Sequence, residues 1–364
     1  MDGFLGTGTL RQALPHCGRN NGKHFHSITM MHNLSHLTDH ASHDNSHSRS
    51  HNNRRTLPMP QPRLGFLGIG LMGDPMTRRL AQAGFELVVW NRSRDKAEQV
   101  AREPHVSVAG SIAELVENVD VILLCLANTD VVREVVLGPG GIMESARAGQ
   151  LVIDLSSSDP AATRDMAAEL KARAGVSWVD SPVSGGVAGA EAGTLAIMCG
   201  GESADVEVAR SILSPLAARI THMGDVGAGQ ATKVCNQMIV GCAAAAIAEV
   251  VALAEASGVD ATRLSEALAG GFADSTPFRM LAPRMAARDF ADPKWHLRTL
   301  LKDLDMAVAQ SHREVSATPM TSLAAQIMRN HVAKGHGEHD PSTLISAYRE
   351  DSVPGTLSVN QGRK

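Results

Sequence analysis

The sequence predicts a doubly wound α/β domain followed by an all-helical domain, with one long helix joining the two. Short apolar segments typical of strands alternate with segments of helical periodicity as far as residue 226, which favours a parallel sheet with helices on both faces. Beyond that residue the alternation stops, and helical patterns continue to about residue 350.

The elements of the first domain follow from local patterns. A helix is expected from Leu71 to Ala83, where Gly84 ends it. Ser111 and Glu114 form a capping-box pattern, and Asp159-Pro160 is typical of another helix start. The expected strands are Leu64 to Leu67, Leu87 to Trp90, Val119 to Cys125, Leu151 to Asp154, one around Val179, Thr194 to Cys199, and Ile220 to Met223.

The composition divides the chain into four segments. Residues 1–62 hold nine of the 16 histidines and few aliphatic residues, so we expect a disordered extension. Metal binding by these histidines is the less favoured alternative. The α/β domain is placed at 63–226, the all-helical domain at 227–350 and a flexible tail at 351–364. The joining helix, Ala228 to Ala256, has small residues that suit a position shared between domains or subunits.

Bulk properties exclude several classes of partner. A net charge of −4 and 3% aromatic residues give no electrostatic or stacking case for nucleic acid. The longest apolar stretch, Met238 to Ala248, is shorter than the roughly 20 residues of a membrane-spanning helix, so no membrane partner is expected. We interpret the cysteines as buried thiols of a reducing, cytoplasmic compartment, because they form no CxxC pair. They are Cys17, Cys125, Cys199, Cys235 and Cys242.

A glycine-rich turn follows the first expected strand and opens the first helix. Its residues are Gly68-Ile69-Gly70-Leu71-Met72-Gly73. A GxGxxG pattern alone is weak evidence, but a strand before it and a helix and second strand after it are typical of a Rossmann-like dinucleotide site. We therefore expect all six residues to contact the cofactor. A glycine-rich turn in an unrelated α/β fold is the alternative.

The end of the second expected strand bears on the choice of cofactor. NAD-selective sites usually carry an acidic residue here, but this chain has the uncharged Asn91, followed by Arg92 and Ser93. Arg92 and Arg94 could form charge-assisted hydrogen bonds with a ribose 2′-phosphate. We expect NADP as the preferred cofactor and NAD as the second choice. Two solvated surface arginines are the alternative explanation.

Two later segments carry polar groups suited to chemistry. Asp180 to Gly186 runs from a strand end into a glycine-rich loop, whose N–H groups could bind a carboxylate. Lys233, Asn236 and Gln237 are spaced i, i+3, i+4 and share one helix face. Taken alone, Lys233 is better explained as a snorkelling surface residue. Together with the two glycine-rich motifs, it is better explained as a catalytic one.

Four segments in this order resemble those of the β-hydroxyacid dehydrogenase family, which includes 3-hydroxyisobutyrate dehydrogenase and tartronate semialdehyde reductase. They are Gly68 to Gly73, Asp180 to Gly186, Gly227 to Asn236, and Trp295 with Lys302-Asp303-Leu304. The resemblance covers about residues 63–350. It implies a 6-phosphogluconate dehydrogenase-like architecture, in which a Rossmann-like domain precedes an all-helical domain, in agreement with the periodicity.

The resemblance also implies roles for individual residues. Lys233 matches the catalytic lysine, and Ser184 matches a serine that binds the substrate next to Gly185 and Gly186. Asn236 and Gln237 match the pair that holds the substrate beside that lysine. Cofactor contacts are implied at Leu126, Ala127, Ser157 and Lys302. Ala127 stands where proline is usual and Trp295 where phenylalanine is usual, which predicts a looser loop over the cofactor and an altered substrate pocket.

These implications predict reversible oxidation of a short β-hydroxy acid to its semialdehyde or keto form, with Lys233 carrying the proton. The expected substrate is a small carboxylate of the 3-hydroxyisobutyrate or 2-hydroxy-3-oxopropionate type. We expect a homodimer or homotetramer and no metal site. An imine reductase on the same scaffold is one alternative, although such enzymes usually replace the residue at Lys233. A non-catalytic dinucleotide-binding protein is the other.

Overall fold

The computed structural model describes residues 61–293 and 295–348. Residues 1–60 of the predicted histidine-rich extension lie outside the described residues, as do Cys17 and the predicted tail at 351–364.

A nine-stranded sheet forms the first domain, and its order is β3-β2-β1-β4-β5-β6-β8-β7, with β9 paired to β8. The first six strands in the chain pair in parallel. Since the strand order reverses between β1 and β4, the carboxyl ends of these strands flank a crevice of the kind in which α/β proteins bind ligands. The strands are β1 (Leu64–Leu67), β2 (Leu87–Trp90), β3 (Val106–Val108), β4 (Val121–Leu124), β5 (Leu151–Asp154), β6 (Ser177–Asp180), β7 (Val183–Ser184), β8 (Leu195–Gly200) and β9 (Ala217–Gly224).

The far part of the sheet differs from the fully parallel sheet expected. β8 runs antiparallel to β6 and β7, and β9 runs parallel to β8. The connection between β7 and β8, residues 185–194, is shorter than the dozen or more residues that a parallel crossover needs. β3 was not predicted either, because an edge strand of three residues gives almost no periodic signal.

Helices cover both faces of the sheet, as predicted. Two separate apolar cores result, one under α1, α2 and α8 and the other under α3 to α6. Two predicted helix starts are confirmed: Ser111 Oγ accepts from Glu114 N, and Asp159 Oδ1 accepts from two N–H groups of α6. The helix expected from Leu71 begins two residues later, at Gly73. These helices are α1 (Gly73–Gln82), α2 (Arg94–Val100), α3 (Ile112–Glu117), α4 (Thr129–Leu137), α5 (Ile142–Ser145), α6 (Pro160–Ala174), α7 (Gly186–Ala192) and α8 (Ser203–Leu213).

The helical domain is built around the long helix α9 (Ala228–Ala256). α9 packs against the other long helices of this domain, and its small residues Ala244 and Ala248 are fully buried in their common core. The other helices are α10 (Leu264–Ala267), α11 (Thr276–Ala287), α12 (Leu297–Arg313) and α13 (Pro319–His331); a π-helical turn (Val332–His336) and a 3-10 helix (Pro341–Ala347) follow. The confirmed pattern is an α/β domain followed by helices alone.

α9 is longer than the apolar stretch Met238 to Ala248, whose length alone predicted no membrane-spanning helix. Among the residues described, α9 is the one helix that is long and apolar enough to cross a membrane, with 29 residues and a mean hydropathy of 1.9 in its most apolar window. The apolar character continues past Ala248 through Val250 and Val251. Length and composition alone are weak evidence, because the core helix of a soluble protein meets the same criterion.

The expectation of buried cysteines is only partly met. Cys199 is buried, Cys125 and Cys242 are half-buried, and all three are free thiols. Cys235 is also free but exposed, so the prediction is wrong for this residue. Its position on the outer face of α9 depends on how the helix packs, which its apolar neighbours in the chain do not reveal.

Candidate active site

The glycine-rich turn between β1 and α1 has the shape that a dinucleotide pyrophosphate requires. A Cβ at Gly68 (φ +105°) would lie 2.2 Å from the carbonyl oxygen of Cys125, and one at Gly73 would lie 1.9 Å from the carbonyl oxygen of Gly68. By contrast, Gly70 is exposed and has nothing within 4 Å of its Cβ position. The outer glycines are therefore needed for packing, while the middle one leaves open space where a phosphate can approach the backbone.

Asn91 links this turn to the end of β2. Its Oδ1 accepts from Ile69 N at 3.0 Å, and its Nδ2 donates to the carbonyl oxygen of Ser93 at 2.9 Å. A cavity of about 220 Å³ lies beside it, lined by Asn91, Arg92, Arg94 and their neighbours. Arg94 pairs with Glu98 at 2.7 Å, and Arg92 is exposed. Of the predicted contacts at this strand end, Asn91 and Arg92 line the cavity and Ser93 does not, and Asn91 has an additional structural role.

Two loops at the carboxyl ends of β4 and β5 lie side by side. Ser156 Oγ accepts from Leu126 N at 2.9 Å, which joins the β4–α4 loop to the β5–α6 loop. The predicted cofactor contacts Leu126, Ala127 and Ser157 lie in these loops; Ala127 is exposed and the other two are half-buried. The structure therefore brings these contacts to the sheet edge that also carries the glycine-rich turn.

The predicted substrate loop follows β6. Gly185 and Gly186 are exposed and have φ values of +136° and +62°, which favour glycine, while Ser184 is half-buried and pairs with Ala196 of β8. Met198 of β8 contacts both the substrate loop and α9. Its N–H donates to Pro182 O at 3.1 Å, and its carbonyl oxygen would lie 2.4 Å from a Cβ at Gly229.

Lys233 is a buried residue of α9, with 8% of its surface exposed. Its Nζ donates to Gln237 Oε1 at 3.0 Å, and Asn236 Nδ2 donates to the same oxygen at 2.8 Å. The three predicted residues of this helix face therefore form one hydrogen-bonded group. This arrangement rules out a snorkelling surface lysine, because the amine lies inside the protein.

Asp303 of α12 completes this group and was not predicted as a site residue. Gln237 Nε2 donates to Asp303 Oδ2 at 2.6 Å, and Lys302 Nζ lies 3.1 Å from Asp303 Oδ1. Asp303 is 3% exposed. In the sequence, only its position next to the predicted cofactor contact Lys302 pointed to Asp303. Which side of α12 meets α9 is decided by packing. Trp295, the other predicted departure in this region, is half-buried against the helical core.

The surroundings of Lys233 lower the pKa of its amine. Burial is the largest influence and lowers the pKa of Lys233, the Asp303 carboxylate raises it, and the Lys302 ammonium lowers it; the net effect is a lowered pKa. A buried amine of lowered pKa can accept and return a proton during turnover. No group of three or more potential metal-ligating side chains occurs within 61–293 and 295–348.

Comparisons with known proteins identify the family and support the fold. The family profile for the NAD binding domain of 6-phosphogluconate dehydrogenase matches residues 63–224, and that for the NAD-binding region of NADP-dependent 3-hydroxyisobutyrate dehydrogenase matches residues 227–348. An uncharacterized oxidoreductase of Synechocystis is 36% identical and aligns over 79% of this chain and 98% of its own length. The 2-hydroxy-3-oxopropionate reductase of Escherichia coli is 34% identical over 78% of this chain and 96% of its own.

Solved structures extend the likeness to three dimensions. The 3-hydroxyisobutyrate dehydrogenase of Mycobacterium tuberculosis, solved with L-serine, is 33% identical and covers 79% of this chain and 99% of its own, with a TM-score of 0.72. An imine reductase from Pseudomonas sp. is 23% identical over 79% of this chain and 99% of its own, with a TM-score of 0.52, a likeness of fold alone. On its sequence and its fold, this chain belongs to the β-hydroxyacid dehydrogenase family of nicotinamide-dependent oxidoreductases.

Proposed function

We propose that this protein interconverts a short β-hydroxy acid and its semialdehyde or keto form, with NADP as the preferred cofactor and Lys233 as the proton carrier. The observation that carries the proposal is the buried amine of Lys233, which is hydrogen-bonded to Gln237 and has a lowered pKa. A merely structural lysine would be expected to form an ion pair or reach solvent.

The residues of the chain have separate tasks in this reaction. When bound, the nicotinamide accepts or supplies the hydride. In oxidation, Lys233 Nζ takes the hydroxyl proton as the carbinol carbon loses hydride, and in reduction the ammonium returns that proton to the new alkoxide oxygen. Ser184 and the N–H groups of Gly185 and Gly186 would hold the carboxylate, so that the reacting carbon is oriented before transfer. Asn236 and Gln237 would keep the hydroxyl beside the amine.

The proposed preference for NADP rests on charge at the end of β2. Asn91 supplies no carboxylate to pair with a ribose hydroxyl, and the side chain of Arg92 is exposed at the rim of the adjacent cavity. In the helical domain, Lys302 is half-buried on α12, and we assign it as the cation that contacts the cofactor. A 2′-phosphate would be held by charge-assisted hydrogen bonds in such surroundings.

We also propose that the protein is a cytoplasmic homodimer or homotetramer, with neither a membrane nor a nucleic acid as partner. Exposed apolar side chains occur along α9, at Ile239, Val250 and Leu253, and on neighbouring α13, at Met320 and Leu323. A second copy could bury them. The polar face of α9 at Lys233 and Gln237, which meets Asp303 inside the protein, favours a core helix over a membrane span.

The deciding experiment is a substrate panel. We expect NADPH oxidation with 2-hydroxy-3-oxopropionate or a related semialdehyde, and NADP⁺ reduction with 3-hydroxyisobutyrate, at rates that fall strongly in Lys233→Ala. Cyclic imines should give no turnover. If imines were reduced and semialdehydes were not, the protein would be an imine reductase. Tight NADPH binding without turnover of any member would favour the non-catalytic dinucleotide-binding alternative.

A further inference from the structure

Gln230 is a buried side chain that connects two parts of the site. It lies in the first turn of α9 and is 0% exposed. Its Oε1 accepts from Ser158 N at 3.0 Å, and its Nε2 donates to Ser156 O at 2.8 Å. Both partners belong to the β5–α6 loop, on either side of Ser157. One side chain of the lysine helix therefore makes hydrogen bonds on both sides of the predicted cofactor contact.

The turn of α9 that carries Gln230 is itself held tightly. Asp180 Oδ1 accepts from Gly227 N and its Oδ2 accepts from Gln230 N, both at 2.7 Å. A Cβ at Gly229 would lie 2.7 Å from the carbonyl oxygen of Asp180, so this glycine is needed for the close approach of helix and strand. The first turn of α9 thus has little freedom to move relative to β6.

Two buried carboxylates surround this connection at a cost in stability. Burial raises the pKa of Asp154 to about 7 and that of Asp180 to about 6. An apolar contact between helix and loop would avoid that cost, whereas directional hydrogen bonds define one relative geometry. The hydrogen bond from Leu126 N to Ser156 Oγ continues the network into the β4–α4 loop.

We propose that Gln230 is a positioning residue that couples the β5–α6 loop to the turn of α9 before Lys233. The inference rests on the proposed roles of Ser157 and Lys233 and adds the physical link between them. Without the amide, the β5–α6 loop would lose its hydrogen bonds to this fixed turn, and a cofactor held by the loop would be misaligned with the Lys233 amine. A displacement of about 1 Å at a reacting group can cost on the order of 100-fold in rate.

The test compares Gln230→Met with Gln150→Met. Gln150 offers a matched control: it is 3% exposed, its Nε2 donates to Val116 O and Val119 O, and its Oε1 accepts from Arg147 N. It makes these bonds just before β5 begins, at the amino edge of the same sheet, whereas Gln230 lies at the carboxyl edge. Methionine keeps the length of either side chain and removes its hydrogen bonds. Both variants should therefore lose similar stability.

We expect kcat to fall about 10- to 100-fold in Gln230→Met and less than about threefold in Gln150→Met, with the substrate KM little changed in both. Hydrogen exchange gives a readout that needs no substrate. NADP⁺ should slow amide exchange at residues 155–158 and at 228–233 in the unmodified protein and in Gln150→Met. In Gln230→Met the cofactor should still protect the loop but no longer the helix turn, because the side-chain link that passes the ordering from the loop to the turn is gone.

Either of two results would overturn the proposal: equal kcat values in the two variants, or cofactor protection of both segments in Gln230→Met. If the unmodified protein turned over no member of the substrate panel, the proposed function would fail, while hydrogen exchange would still decide the coupling. If Gln230→Met did not fold, Gln230→Asn would be judged by the same criteria, because it is neutral and polar but too short to reach both Ser158 N and Ser156 O.

Discussion

Lys233 Nζ donates to Gln237 Oε1, one turn further along α9, at 3.0 Å. Gln237 is bonded in turn to Asp303 of α12 at 2.6 Å. A lysine of the joining helix is thus connected to a carboxylate of the helical domain through a single amide. Because Asp303 is buried, its charge acts on the amine with little screening and opposes part of the pKa decrease that burial causes.

Replacing Lys233 tests its role as proton carrier. Lys233→Ala should lower kcat by at least about 100-fold, the usual scale for lost general acid–base catalysis. Lys233→Arg should be almost as inactive, because a guanidinium keeps the charge but does not release a proton at accessible pH. Cofactor affinity should change little, since the glycine-rich turn and the end of β2 are untouched. Steady-state kinetics with melting curves as the stability control provide the measurement; an arginine variant that kept most of its kcat would contradict the mechanism.

Removing the charge of Asp303 should move the pH profile. In oxidation Lys233 acts as a base, so kcat/KM rises as pH passes its pKa. Asp303→Asn removes the influence that raises this pKa, so the acidic limb should shift to lower pH. In reduction the ammonium is the active form, so the high-pH loss of rate should also begin at lower pH. Asp305→Asn is the control: this exposed residue of α12 pairs with Arg329 and should leave both limbs in place. A profile unchanged in Asp303→Asn would show that the carboxylate does not act on the lysine.

Arg92 is expected to select NADP. Arg92→Ala should raise the KM for NADPH at least about 10-fold, as expected for a lost hydrogen bond between charged groups, and that for NADH less than about threefold. Arg173→Ala is a suitable control, because this arginine of α6 is exposed and paired with Glu169. Equal effects on both cofactors, or a preference of the unmodified protein for NADH, would refute the assignment.

Asp154 makes stability dependent on pH. Burial raises its folded-state pKa to about 7, so the folded protein keeps a proton that the unfolded chain releases above its ordinary pKa near 3.8. The stabilisation is fully present below that ordinary pKa and is lost as pH rises toward 7. Asp154→Asn should flatten this decline and raise Tm at pH 8 by a few degrees relative to the unmodified protein. Melting curves from pH 4 to 8 provide the measurement, with the exposed Asp165→Asn as control; parallel curves for all three proteins would contradict the assignment.

The sequence predicted the candidate site best where its residues lie close together in the chain. The strands Leu64–Leu67, Leu87–Trp90 and Leu151–Asp154 occur as expected, as does the glycine-rich turn after the first of them. The face of α9 that carries Lys233, Asn236 and Gln237 also follows from spacing alone. The roles assigned to these residues stay predictions, because their positions do not by themselves show catalysis.

Local pattern determined the order of strands and helices, the cradle at Gly68 to Gly73 and the one-sided grouping of polar residues on α9, because periods of 2 and 3.6 residues are properties of neighbouring residues. Tertiary structure decided that β8 runs antiparallel, that Asp303 meets Gln237 across 66 residues of chain, and that Gln230 meets the carbonyl oxygen of Ser156 across 74. These contacts arise from the packing of α9 against the sheet and α12. Helix packing places side chains from distant segments against each other, and no short-range periodicity specifies which ones meet.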